Sequence, residues 1–165
     1  VAFAPDLYHG KLADTIPDAE ALSNELDGAQ ARRDVMDALA YLLARTGESS
    51  QTVIGFSLGA YFALDLSAKA PDQVHAVVVF YGTGPADFSA SRAAYLGHFA
   101  ESDEYEPLEG VEGLENELRD AGRPVTFYLY PGTGHWFFEP DRTQAYNETA
   151  ANLAWDRTLE FLQST

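Results

Sequence analysis

The chain has 165 residues, enough for one domain that buries about two-thirds of the surface its unfolded form exposes. Its 46% apolar content is that of a globular protein rather than a disordered one. The 26 acidic and 10 basic residues leave a formal charge of −16, which repels phosphate backbones and anionic lipid and argues against nucleic-acid and membrane partners. The plainest reading of that acidity is a solvated shell. With no cysteine, disulfides, thiolate catalysis and Cys-ligated metals are excluded. No apolar run approaches the roughly 18 residues of a membrane span, and no basic segment precedes a signal-like stretch. A cytoplasmic setting is the default expectation. The chain opens inside the apolar run VAFAP rather than on Met, and a longer natural protein is expected.

Short β-branched or aromatic runs alternate with longer helical patterns. Residues 1–4 predict a strand closed by Pro5 and Asp6. Residues 28–46 predict an amphipathic helix, with Val35, Leu39, Leu42 and Leu43 on one face and Gly47 as its stop. Residues 52–56 predict a short buried strand and residues 58–69 a helix stopped by Pro71. Residues 74–81 form a continuous apolar run of the kind that sits inside a parallel sheet. Another strand is predicted over 93–99, followed by an acidic loop. Leu108, Val111, Leu114 and Leu118 then predict a helix over 108–121. Residues 125–130 predict the last strand, 131–135 a loop, and 143–163 the final helix. Strands separated by such helices imply right-handed crossovers and a three-layer α/β sandwich with a mainly parallel sheet, as a single domain over 1–165.

Gly55-Phe56-Ser57-Leu58-Gly59 is a G-x-S-x-G motif between a predicted strand and a predicted helix, the context that motif needs. Such a turn holds its Ser in a strained backbone conformation, and Gly55 and Gly59 are expected to relieve collisions on either side. Ser57 then projects its hydroxyl above the carboxyl edge of the sheet. The Leu58 N–H, at the positive end of the following helix, points to the same spot and suits a developing oxyanion.

A Ser hydroxyl needs a neighbour to take its proton. His75 opens a strand and belongs at the opposite edge of the sheet, whereas His98 lies in a strand as a candidate core residue. His9 falls on the active edge but precedes the nucleophile. His135 occupies the loop after the last strand, where the order Ser, acid, His delivers the base. The acid is expected after an intermediate strand, in Glu101-Ser102-Asp103-Glu104-Tyr105-Glu106. Asp103 is the best placed, with Glu101 and Glu104 as rivals, and its task is to fix the imidazole tautomer and stabilise the imidazolium. The scattered histidines show no metal-ligand spacing, so neither metal nor other cofactor is expected. Tyr8, Phe56, Tyr81 and Trp136 fall near carboxyl ends of strands or in the His loop, where they are candidates to line a substrate pocket. Phe137 and Phe138 fall there too.

These residues together resemble the dienelactone hydrolase family over nearly the whole chain. The resemblance rests on APDLY (4–8), GFSLGA (55–60), VVVFYG (77–82), ESDEYEP (101–107), YPGTGHWF (130–137) and ANLAWDRTLEFL (151–162). It implies an α/β-hydrolase fold and hydrolysis of a small-molecule ester or lactone. Three departures qualify it. The family's usual nucleophile is Cys, and here Ser57 stands in its place, as in Ser-using esterase relatives. Two arginines that hold the substrate carboxylate in dienelactone-specific members are replaced by His9-Gly10 and by Glu139, which argues against the dienelactone itself. The family's amino-terminal segment, with its early strands, a Glu near the nucleophile and the second oxyanion donor, is missing.

The last departure predicts a gap in the sheet, since in the family a strand lies between APDLY and the nucleophile strand. A longer natural chain, a shifted first strand, or a homodimer covering the edge would each fill it. The reading is a serine esterase or lactonase working through an acyl-enzyme. Its alternative is a catalytically silent scaffold that binds without turnover. A peptidase or acyl transferase would use the same triad.

Overall fold

The computed structural model describes residues 1–165, which divide into two compact units, Val1–Ser49 and Ser50–Thr165. In the first, the Thr15 hydroxyl accepts from the Asp18 amide at 3.2 Å and donates to the Asp18 carboxylate at 2.7 Å. This cap opens α1 (Ile16–Asn24), which carries Pro17 in its first turn, where a missing N–H costs nothing. Helix α2 (Gly28–Thr46) opens on Asp27, whose carboxylate accepts from Ala29 and Gln30 at 2.9 and 3.0 Å. It closes on Gly47 at φ 75°, the left-handed position that favours glycine. Helix α1 buries no residue, and that lack of an apolar stripe explains why periodicity alone does not find it.

Residues 1–4 correct one expectation. They form no strand, because a strand exists only through backbone pairing and the sheet draws all its strands from the second unit. Phe3 instead meets the Tyr41 ring at 5.1 Å.

The second unit runs β1 (Gln51–Phe56), α3 (Leu58–Lys69), β2 (Val74–Phe80), β3 (Ala94–Ala100), α4 (Leu108–Asp120), β4 (Val125–Tyr130) and α5 (Glu148–Ser164). The strands pair in the order β1-β2-β3-β4, all parallel, so every carboxyl end lies on one edge. Ala76 to Phe80 are at most 1% exposed, which accounts for the unbroken apolar run of β2. Side chains alternate along β3. Tyr95 reaches Ser67 of α3 on one face, and His98 reaches Thr158 of α5 on the other. Helices therefore cover both faces, and the fold is a three-layer α/β sandwich.

Helix α5 starts five residues later than its expected beginning at 143. Residues 137–147 are spent in turns around Pro140, and the Asn147 side chain caps the helix by accepting from the Ala150 amide at 3.1 Å. Between α5 and the sheet lies a buried polar cluster. The His98 ring contacts the Tyr130 hydroxyl at 2.8 Å through Nδ1 and the Thr158 hydroxyl at 3.0 Å through Nε2. Burial, and secondarily the Arg157 charge, pushes His98 down to about 3, so its imidazole is neutral at ordinary pH.

Candidate active site

The turn at Ser57 is set by two close backbone approaches. Ser57 adopts φ 49°, ψ −118°, a strained conformation for a residue with a side chain. A Cβ on Gly55 would lie 2.4 Å from the Gly59 carbonyl oxygen, and a Cβ on Gly82 would lie 2.4 Å from the Ser57 carbonyl oxygen. Nothing lies within 4 Å of the equivalent position on Gly59. The relief assigned to Gly59 thus belongs to Gly82, which sits beyond β2 and allows that strand to press against the turn. Ser57 is further pinned by its amide, which donates to the Phe80 carbonyl at 2.9 Å. Leu58 begins α3, where the first amides have no acceptor within the helix.

Three side chains far apart in sequence meet at the carboxyl edge. His135 Nε2 is 2.9 Å from Ser57 Oγ, and His135 Nδ1 is 2.9 and 2.8 Å from the two oxygens of Asp103. The imidazole and carboxylate are only 4% and 2% exposed, which keeps water from competing for these bonds. A carboxylate accepts but cannot donate, so Nδ1 carries the ring proton and Nε2 is left to accept from the hydroxyl. Asp103 Oδ1 also accepts from the amides of Tyr105 at 2.9 Å and Glu106 at 3.1 Å, which fixes its orientation.

Of the rival carboxylates, Glu101 is committed elsewhere, accepting from the Gly132 amide at 2.8 Å, and Glu104 is exposed. The Ser102 amide donates to the Thr133 carbonyl at 3.1 Å, and the two loops that carry Asp103 and His135 are thereby stitched together. His75 lies at the other edge against Ser50 and Thr52, and His98 is the buried core residue described above.

Three aromatic rings surround the imidazole. Tyr81, Tyr105 and Trp136 have centroids 4.9, 4.8 and 4.9 Å from it. Tyr105 is not among the pocket candidates that the sequence offers, although its place two residues after Asp103 was a usable signal. Trp136 is half-buried, with the Arg142 guanidinium 5.5 Å above its ring. Tyr81 is fully buried, so it backs the imidazole instead of offering an open surface to a ligand. Phe56 is exposed and lines a groove of about 470 Å³ with Phe138, Pro140, Tyr146 and Trp155. Tyr8 belongs to the first unit, in a turn where its amide donates to Asp6. No cluster of three or more His, Asp or Glu side chains is arranged to hold a metal ion, and no helix is long and apolar enough to cross a membrane.

Comparison with known proteins agrees with this architecture. The model of the dienelactone hydrolase family matches residues 1–165. The chain is 31% identical over 179 residues to a carboxymethylenebutenolidase of Rhodococcus opacus, a match covering 96% of this chain and 68% of that protein. It is 29% identical over 173 residues to protein usf of Aquifex pyrophilus, covering 99% and 74% respectively. Among solved structures, a Klebsiella pneumoniae protein provisionally named dienelactone hydrolase superposes with a TM-score of 0.78 at 25% identity, over 98% of this chain and 74% of that one. A dienelactone hydrolase-like promiscuous phosphotriesterase from metagenomic libraries shares the fold, with a TM-score of 0.77 at 22% identity over 88% and 68%. The fold is that of the α/β hydrolases, and the chain belongs to the dienelactone hydrolase family.

Proposed function

We propose that this hydrolase-family chain cleaves a carboxylic ester or lactone through an acyl-enzyme formed on Ser57. One observation carries the reading: a hydroxyl bonded at 2.9 Å to an imidazole that is itself bonded at 2.8 Å to a buried carboxylate. In this scheme His135 Nε2 takes the hydroxyl proton as Ser57 Oγ attacks the carbonyl carbon, and Asp103 stabilises the resulting imidazolium. The Leu58 N–H, aided by the amino end of α3, holds the developing oxyanion. His135 then protonates the departing alkoxide. A water molecule, activated by the same imidazole, attacks the acyl carbon, and the acid leaves as Ser57 regains its proton. The exposed Phe56 beside the turn suits an apolar acyl or ring substituent. No cofactor enters the scheme.

Hydrolysis of p-nitrophenyl acetate tests it. Turnover is expected from the unaltered chain and a fall of about 10⁴-fold or more in kcat for Ser57→Ala and His135→Ala. Turnover equal in the Ser57→Ala variant would refute Ser57 as nucleophile. Complete inertness of the unaltered chain toward esters and lactones would favour the silent scaffold.

A further inference from the structure

Tyr81 combines features that the scheme above leaves unused. It sits just past β2 at φ 37°, a region that side-chain-bearing residues rarely adopt. It is one of four such non-glycine residues in the chain, and two of the others, Ser57 and Trp136, also belong to the site. Strain of this kind persists only where the surroundings over-determine it. Here they do so from three directions. The Tyr81 amide donates to the His98 carbonyl at 2.8 Å, tying its backbone to β3. Its ring packs against His135 at 4.9 Å and against Phe137 at 5.6 Å. Its hydroxyl donates to Glu139 Oε1 at 2.9 Å.

Glu139 lies four residues beyond His135 in the same loop, and the loop closes on itself there. The Glu139 amide donates to the Trp136 carbonyl at 3.0 Å, and the Glu139 carbonyl accepts from the Arg142 amide at 3.0 Å. The second carboxylate oxygen faces the Arg142 guanidinium at 3.8 Å, so both oxygens are engaged. The polarity of the Tyr81 bond is fixed. Burial, followed by the charge and hydrogen bond of Glu139 and the charges of Asp141 and Asp103, pushes the phenol far up, and the phenol is therefore always the donor.

We infer that the Tyr81–Glu139 hydrogen bond is a latch that holds the His135 loop against the end of β2 and so sets the imidazole at bonding distance from Ser57. Ser57 is anchored to the end of β2 through the Phe80 carbonyl, whereas His135 sits on a loop after β4. Phe138 of that loop packs on Phe80 of β2 at 4.6 Å, but a ring contact of this kind sets no hydrogen-bonding distance for the imidazole. Tyr81, adjacent to Phe80, adds a directional restraint, with its ring against the imidazole at 4.9 Å and its hydroxyl bonded to Glu139 at 2.9 Å. Tyr81 and Glu139 are then positioning residues for the reaction proposed above, on which this inference rests.

The test uses Tyr81→Phe, which keeps the ring and removes only the hydroxyl, and Glu139→Gln, which keeps an acceptor. Misplacement by an ångström costs about 100-fold in rate, so Tyr81→Phe is expected to lower kcat by about 10- to 100-fold with KM within about twofold. Glu139→Gln should stay within about threefold of the unaltered chain, and Glu139→Leu should match Tyr81→Phe. The double variant Tyr81→Phe/Glu139→Leu should lose no more than either alone, because one bond is being removed. Independently of turnover, the His135 Nδ1 proton should give a slowly exchanging low-field NMR signal that persists in Glu139→Gln and broadens or exchanges rapidly in Tyr81→Phe. An unchanged kcat and an unchanged proton signal in Tyr81→Phe would overturn the latch while leaving Ser57-dependent turnover intact. Loss of that turnover's dependence on Ser57 would strike the reaction scheme, and the proton signal would still decide the latch.

Discussion

Gly82 and Gly55 hold the turn at Ser57 by what they lack. Each would place a Cβ at 2.4 Å from a backbone carbonyl oxygen, where no flexible side chain can yield, whereas Gly59 has open space. Gly55→Ala and Gly82→Ala are therefore expected to destabilise by about 1–3 kcal/mol through overpacking and to depress ester hydrolysis. Gly59→Ala should be neutral or stabilising by about 0.5–1 kcal/mol, since it removes a glycine from the first turn of a helix. Urea unfolding of the three variants measures this, and equal losses at 59 and 82 would contradict it. The motif around Ser57 was readable because its signal is local. It gives both flanking glycines equal duty, though, because the collision that matters at Gly82 comes from another strand. That His135 and Asp103 meet Ser57 was also legible, from their place after strands that must share an edge. The Tyr81–Glu139 bond was not, since it links residues 58 apart with no pattern connecting them.

At the scale of elements, the helix-to-sheet seam contains one group whose charge matters. His98 is pushed down to about 3, whereas in the unfolded chain it titrates near its ordinary value of 6.5. Between those values the unfolded chain takes up a proton that the folded chain does not. Stability from this residue is thus present above pH 6.5 and is lost as pH falls toward 3. At pH 4.5 the loss should be about 2–3 kcal/mol relative to pH 7. Urea unfolding at both pH values should show it, and His98→Gln should flatten the His98-dependent part of the slope. A slope unchanged by that substitution would show that the imidazole is not held neutral by burial. Continuous apolar runs and 3.6-residue spacing made β2, α2 and α4 legible almost to the residue. Residues 1–4 misled because an isolated apolar run carries no information about whether a partner strand exists. The start of α5 misled because its cap, Asn147, lies four residues past the expected start, inside a stretch whose composition already suits a helix.

For the molecule as a whole, a charge of −16 means self-repulsion in the compact state. Salt shortens the screening length from about 30 Å at 0.01 M to about 3 Å at 1 M, so Tm should rise across that range. A falling Tm in potassium chloride would mean that attractive pairs, such as Arg119 with Glu115, outweigh the repulsion. Ser57, Asp103 and His135, which meet at one edge of the sheet, come from separate crossovers. Their convergence at 2.8 and 2.9 Å can be tested by chemistry. The most direct test is intact-protein and peptide mass spectrometry after treatment with a fluorophosphonate. The account predicts a single adduct, located on Ser57, that forms on the unaltered chain and slows by orders of magnitude in His135→Ala. An adduct on another serine, or labelling of Ser57 that is indifferent to His135, would contradict it.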